Sequence, residues 1–481
     1  MNKASRIKEI PFIPRIINPV RIKRAVLFTA DAQVREGREI LEKRIPWLKT
    51  EVLFDPEAVM SVSFPEASVF LLDDTALSIL DTGRIRARNP DAVIVLLSFQ
   101  TYIHRSPPQA TFKRYPYAAA ADLIFAVGRE EFAPSKILIA VVRAAEDLLN
   151  IEKYSKARRH IFHLVDDEPR WFSQFLPVLY DIIGQRADVR LTRTYEESLK
   201  FLFGVEEESR IRINPDVPQG HGHDVVCLIT DIYFPKKGEL QSDAGRALIR
   251  LVNRHYPHIP VIIASKSEVA KTLDHIGFVL PKGDPGSLEK LRDYILNITG
   301  LGDFVICDQE GNEIRRAKDI HGICRILQEA EKDSPDGLRL RDLLEDYGQR
   351  DKFSTWLYMH SYPELGDRLR PRKSSGQRML TLLRRHFLVE IARLERIPLL
   401  IQQKRIFSLG ELYLALQTLD HDVLQPLSDD DVISSWLDRK GYPELAEELR
   451  PIHNSGLDLR QAVVQVVEKW LRLYRERGCP V

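Results

Sequence analysis

Short runs of continuous apolar residues, each closed by a polar residue and separated by helical stretches, dominate the first 300 of the 481 residues. In the middle of the chain they are IFHLV (161–165), DVVCLIT (224–230), PVIIA (260–264) and GFVLP (277–281). Runs of this length, rich in Val and Ile, mark strands buried on both faces of a parallel sheet. PRWFSQFLPVLYDII (169–183) and SLEKLRDYILNI (287–298) have apolar residues at helical spacing and predict helices covering that sheet. Upstream, AVLFTA (25–30), SVFLLDD (68–74), DAVIVLLS (91–98) and ADLIFAV (121–127) repeat the order and lead into the amphipathic SKILIAVVRAAEDLL. Two doubly wound parallel-sheet α/β domains follow, at 22–154 and 159–300, behind an extended arm at 1–21 broken by Pro11, Pro14 and Pro19.

After Gly300 the pattern changes. FVICDQEGNEI (304–314) reads as a connector, placed at 301–313, and from Ile314 onward apolar residues recur every three or four positions, which predicts an all-α region. Within it FSTWLYMHSYPELGDRLRP (353–371) aligns without a gap with ISSWLDRKGYPELAEELRP (433–451), an internal duplication dividing the region into repeats at 314–398 and 399–481. Each copy closes on a long helix, with Leu380, Leu383, Phe387, Ile391 and Leu394 in the first and Val463, Val467, Trp470 and Tyr474 in the second on its apolar face. Neither copy shares an acid pair, a His–Cys cluster or a Gly-rich loop with the other, so the repeated Trp, Tyr, Glu and Arg are expected to form a structural core with a buried Arg–Glu pair. The region reads as a binding module, and the chain as no enzyme.

The polar residues that close the central runs are Asp166, Asp167, Asp231, Ser265 and Lys282. Ligands of open α/β sheets collect at the carboxyl ends of the strands, where all five would sit. Asp166, Asp167 and Asp231 offer the hard oxygen ligands that Mg²⁺ prefers. A carboxylate can also accept a phosphoryl group, and a Ser hydroxyl and a Lys ammonium can stabilise its oxygens. Asp231 is the expected acceptor.

On VDDEP (165–169), ITDIYFP (229–235, with Pro235 four after the Asp), IIAS (262–265) and LPK (280–282), the segment 159–300 resembles the receiver domain of bacterial response regulators. The resemblance implies a flavodoxin-like fold, an acidic Mg²⁺ pocket at Asp166 and Asp167, a phosphoacceptor at Asp231, a switch hydroxyl at Ser265 and a phosphate-contacting lysine at Lys282. It also implies a histidine kinase or phosphotransfer protein as donor. Departures lie at the polar insertion 204–223, at Lys266 where the family has a small residue, at Val279 where a switching aromatic is common, and in the short stretch from Ser265 to Lys282, so the readout is expected to be altered. The segment 22–154 resembles a degenerate receiver. Asp31 follows its first strand, Asp73 and Asp74 its third and Ser98 its fourth, but Val127 stands at the lysine position. Phosphorylation at Asp73 or Asp74 is the sharper reading of that segment and a structural pseudo-receiver the favoured one. The irregular loop 101–117 is a candidate docking surface there. The helical repeats resemble small modules attached to bacterial signalling proteins.

Composition adds little. With 44% hydrophobic and 29% charged residues the chain is an ordinary globular one, and its net charge of +1 makes no global case for nucleic acid or membranes. Cys227, Cys307, Cys324 and Cys479 are widely spaced, so neither a zinc site nor a redox pair is expected. Without an apolar run long enough for a signal peptide or a membrane span, a cytoplasmic location is expected. One local asymmetry stands out: residues 368–405 carry eleven Lys or Arg, among them Arg368, Arg370, Arg372, Lys373, Arg378, Arg384 and Arg385, against two acids. This stretch is read as a surface for a protein partner, with DNA as the alternative and self-association left open.

Overall fold

The structure is a computed structural model that describes residues 20–45, 47–100, 116–152, 160–184, 186–212, 220–257, 259–266, 277–284, 286–308, 310–360, 362–369, 377–394, 397–450, 452 and 457–476. Most of the N-terminal arm, nearly all of loop 101–117, the centre of the insertion 204–223, the stretch between Lys266 and Gly277, and Arg370, Arg372 and Lys373 lie outside the described residues.

Two parallel five-stranded sheets form the first 300 residues. The first comprises β1 (Arg24–Phe28), β2 (Lys49–Val52), β3 (Ser68–Leu72), β4 (Ala92–Ser98) and β5 (Leu123–Ala126) in the order β2-β1-β3-β4-β5. Its helices are α1 (Ala32–Arg44), α2 (Pro56–Ser61), α3 (Asp74–Ile79), α4 (Thr82–Arg88) and the long α5 (Pro134–Glu152). The second comprises β6 (Ile161–Val165), β7 (Asp188–Thr192), β8 (Val225–Thr230), β11 (Val261–Ser265) and β12 (Phe278–Pro281) in the equivalent order β7-β6-β8-β11-β12. Here α6 (Pro169–Ile183), α7 (Tyr195–Phe203), α8 (Ala244–His255) and α9 (Ser287–Ile298) cover the faces. In both sheets the strand order reverses beside the first strand, which opens a crevice at the carboxyl ends. Between β8 and α8 a small hairpin, β9 (Phe234–Lys236) and β10 (Glu239–Gln241), turns through Lys237 and Gly238, both at positive φ.

The two sheets share one hydrophobic core. Leu27 and Val95 of the first unit, Leu138 and Val142 of α5, and Phe172, Phe175, Leu179 and Ile262 of the second belong to the same buried cluster. Helix α5 joins them with polar contacts as well. The Asp147 carboxylate accepts from Val189 N at 2.7 Å and from Tyr180 Oη at 2.9 Å, so a helix of the first unit covers the exposed edge of strand β7 in the second. At the described end of the arm Val20 pairs in both directions with the Asn150 side chain, which straps the chain along α5.

The segment expected as a connector is instead structural. Phe304–Cys307 forms strand β13, which pairs antiparallel with β14 (Glu313–Ala317) and buries Phe304 and Ile306 in the core of the first repeat. That core is completed by α10 (Ile320–Ala330), α11 (Pro335–Gln349), α12 (Lys352–Met359), α13 (Pro363–Leu369) and α14 (Gln377–Leu394). The second repeat has the same plan: hairpin β15 (Leu399–Ile401) and β16 (Lys404–Ile406), then α15 (Leu409–Thr418), α16 (His421–Asp429), α17 (Val432–Arg439), α18 (Pro443–Leu449) and α19 (Leu457–Glu476). The last third is therefore not all helix: each repeat opens on a hairpin.

The duplicated residues have duplicated work. Asp351 and Asp431 both take left-handed φ just before their helices, and Ser354 and Ser434 both donate to them. Trp356 Nε1 donates to Gly302 O at 3.0 Å and Trp436 Nε1 to Ile397 O at 3.3 Å, so each Trp ties its repeat to the chain that precedes it. The expected Arg–Glu pair needs correction. Glu364 is exposed, and Glu444, in the first turn of α18, pairs outward with Lys318. Arg450 is buried against Asp438 at 2.9 Å and against Glu447, the acids on its own face of the helices.

Candidate functional site

The carboxyl ends of β6, β8, β11 and β12 bring the predicted residues together. Parallel pairing carries Val165 to Thr230 and Ser265 to Pro281, so the residues that follow these strands emerge side by side. Asp231 N donates to Val165 O at 2.9 Å and Lys282 N to Ser265 O at 3.4 Å, which extends the sheet register into the site. Lys282 Nζ lies 2.6 Å from Asp166 Oδ2 and also donates to Asp231 Oδ2, holding its ammonium between the two acids. The remaining oxygens are also engaged: Asp166 Oδ1 accepts from Glu168 N at 3.0 Å and Asp231 Oδ1 from Ile232 N at 2.5 Å. The Asp231 side chain keeps 12% exposure where those of Lys282 and Asp166 keep 1%, so it is the carboxylate an incoming group can reach.

Burial sets the electrostatics. It pushes the Asp167 carboxyl up to about 8, helped by the charges of Asp166 and Asp231, and it holds Asp166 above its ordinary range in spite of the Lys282 ammonium. For Lys282 burial works against the charge, but Asp166 and Asp231 outweigh it and keep the ammonium firmly protonated. The pocket holds three carboxyl groups against one lysine, and the raised values of Asp166 and Asp167 mean that the surplus is held largely in protonated form near neutral pH.

That surplus and the hard oxygen donors suit Mg²⁺ in kind, with Asp166, Asp167 and Asp231 as the residues to hold it. Among the described residues no group of three or more His, Cys, Asp or Glu side chains is drawn closely enough together to hold a metal ion, and the Lys282 ammonium stands between Asp166 and Asp231.

Two further residues shape the site. Trp171, on the first turn of α6, lies under both lysines, with Lys266 Nζ 4.3 Å and Lys282 Nζ 5.8 Å from its ring centre. The unusual Lys266 therefore has an aromatic seat. Gly245 is the second: a Cβ there would fall 2.3 Å from Asp231 O, so only glycine lets α8 pack on the loop that carries Asp231. Neither residue stood out from its sequence context. An aromatic at a helix start resembles any core residue, and the eight-residue hairpin Phe234–Gln241 displaces Gly245 from the aspartate it supports. Val279 is half-buried against the core under α7 and α8.

The first unit keeps the frame and uses its acids structurally. Asp73 Oδ2 accepts from Thr29 Oγ1 at 2.9 Å and Ala30 N at 2.8 Å, and its Oδ1 accepts from Ala76 N at 2.7 Å, capping α3. Asp74 Oδ2 accepts from Ser98 Oγ at 2.7 Å. Asp31 caps α1 and meets Arg129 Nη1 at 2.7 Å, an arginine two positions beyond the buried Val127. With three donors already on Asp73, its carboxylate works as a helix cap.

In the basic stretch, Arg368 and Arg393 pair with the buried Glu390, and Arg384 with Glu331. Arg378 and Arg385 are exposed on α14, next to Leu388 at 44% and Val389 at 53% exposure. Among the described residues no helix is long and apolar enough to cross a membrane.

No protein-family model matches the chain, and no curated protein does. Among solved structures it is similar to a protein described as a two-component system response regulator/GGDEF domain protein, at 15% identity over 57% of this chain and 98% of that one, with a TM-score of 0.25. It is also similar to tagatose-6-phosphate ketose/aldose isomerase from Escherichia coli, at 8% identity over 56% and 79% of the two chains, with a TM-score of 0.18. Neither likeness carries an argument about the site, which rests on its own geometry.

Proposed function

We propose that the chain is a receiver-like signalling adaptor that accepts a phosphoryl group on Asp231 and presents a duplicated helical module to a protein partner. One observation carries this reading: a buried lysine ammonium held between Asp166 and the more exposed Asp231, beside Ser265, at the carboxyl ends of a parallel sheet. An Asp231 oxygen attacks the phosphorus of a histidine kinase or phosphotransfer protein, the donor's P–N bond breaks, and its electron pair leaves on the imidazole. Lys282 then turns from the carboxylates to the new phosphoryl oxygens, which carry more charge. Mg²⁺ held by Asp166 and Asp167 with Asp231 supplies positive charge to the same oxygens when bound.

For the output, the exposed strip of Arg378, Arg385, Leu388 and Val389 on α14 suits an acidic protein surface with an apolar centre. The DNA reading is weaker, because Arg368, Arg384 and Arg393 of the basic stretch already have carboxylate partners.

The direct test is incubation of the full chain with Mg²⁺ and acetyl phosphate, followed by intact mass and peptide mapping. A base-labile phosphoryl adduct on Asp231 is expected, and its absence overturns the reading. Metal binding has a pH signature of its own. Because Asp167 titrates near 8, metal binding must displace its proton at lower pH. Mg²⁺ affinity, followed by Trp171 fluorescence, is expected to fall up to about tenfold per pH unit below about pH 8. A flat profile between about pH 6 and pH 8 would remove Asp167 from the ligand set.

A further inference from the structure

A cavity of about 580 Å³ opens where all four units of the chain meet. The first unit lines it with the end of α1 and with α5, the second with α6 and α9, the first repeat with Lys318 and His360, and the second repeat with α18. Its volume is that of a small-molecule site.

The charges around it are uneven. On the repeat side they are settled: Arg186 and Arg450 converge on Glu447, and Lys318 pairs with Glu444 at 3.0 Å. On the sheet side Arg44, Lys136 and Arg292 act on a single acid, Asp181. Arg143 stands beside them with its charge met by Asp147 and Glu146, fixed in place by a bond from Nη2 to Gly184 O at 2.7 Å and by the Tyr180 ring, 5.0 Å below its guanidinium. Between these cations the wall is apolar, made by Ile139, Ile182, Leu296 and Leu301 with the Tyr180 ring.

From this juxtaposition of a cationic rim and an apolar wall we infer that the cavity binds an organic phosphate of nucleotide size, its phosphates on Lys136, Arg292 and Arg44 and its ring against Tyr180 and Leu296. Guanidinium forks and an ammonium match phosphate oxygens, and the volume exceeds what inorganic phosphate fills. So placed, the ligand bridges the two sheet units, on the wall of the cavity that faces Lys318 and His360 of the first repeat and α18 of the second. This site is separate from the Asp231 pocket.

Calorimetry of the full chain at low salt with EDTA present tests the inference, with ADP, pyrophosphate and adenosine as probes. Saturable ADP binding is expected, weaker pyrophosphate binding, and none with adenosine. Arg292→Glu is expected to weaken ADP by at least about tenfold, whereas Lys290→Glu, the same charge change at an exposed position of the same helix outside the cavity, is expected to alter it by less than about twofold. The inference is overturned if ADP does not bind, if adenosine or pyrophosphate binds as tightly as ADP, or if the two variants behave alike.

Discussion

Lys282→Met is expected to slow phosphoryl transfer to Asp231 by about 10²- to 10³-fold, and Asp231→Ala to abolish it, when adduct formation from acetyl phosphate is followed by intact mass. The lysine has the larger interpretive value. Asp231→Ala removes the acceptor outright, whereas Lys282→Met keeps it and removes only the ammonium that meets the incoming charge. If the methionine variant accepts phosphate at the wild-type rate, Lys282 is a structural counter-ion and the pocket is not organised for transfer.

The same substitution has a stability signature with a definite sign. Without the ammonium, Asp166 and Asp231 are left as buried like charges, at a cost of roughly 3 kcal/mol near neutral pH. Lys282 has its pKa raised by folding, so its contribution is complete below its unfolded value near 10.5 and is present across the whole neutral range. Asp166 and Asp167 run the other way: with raised pKa values they take up protons as pH falls and relieve the repulsion. The deficit of the variant should therefore be largest above about pH 8 and shrink toward about pH 5 in urea unfolding. Mg²⁺ should restore part of it at high pH.

Strands written as continuous apolar runs were legible in the sequence, the edge strands β5 and β12 among them, and polar or very short strands were not. Strands β6, β8 and β11, buried on both faces, announced themselves as Val- and Ile-rich runs, and the polar residue closing each became a site residue. Strand β7, DVRLT, carries an Asp and an Arg because it is an edge covered by α5, so its composition reads as a loop. The hairpins that open the repeats are three to five residues per strand, too short for an alternating pattern to stand out, and β13 was read as a connector. Cations were the least legible. Nothing in the spacing of Arg129 from Val127 says that it reaches Asp31, because that contact depends on the loop after β5 folding back across the sheet end. Leu288 shows the limit of helical periodicity: it sits on the same predicted stripe as Leu291 and Ile295, yet it is 37% exposed at the start of α9, where the neighbouring Ser287 takes the buried position.

Asp438→Ala is expected to destabilise the chain by about 3 kcal/mol at neutral pH, because it removes the buried acid from a buried cation and leaves Arg450 only the half-exposed Glu447. Asp438 has 3% side-chain exposure and Arg450 4%; they meet at 2.9 Å, while His360 Nδ1 faces the same carboxylate at 3.4 Å and Tyr362 Oη donates to Asp438 O at 3.1 Å. The pair thus joins the second repeat to the first, and Arg450 and Glu447 carry the connection on to Arg186 at the end of α6. Burial alone would raise the Asp438 carboxyl, but His360 and Arg450 outweigh it and hold it below its ordinary range. A depressed carboxyl stabilises the fold above its unfolded value near 3.8 and loses that contribution as pH falls through its lower folded value. The difference between wild type and variant should accordingly narrow below about pH 4. Arg450→Met alone should also destabilise, whereas the double variant should cost at least about 1 kcal/mol less than the sum of the two, since it leaves neither charge unpaired. Additive losses would mean that the two side chains support the joint between the repeats independently, each through its other contacts.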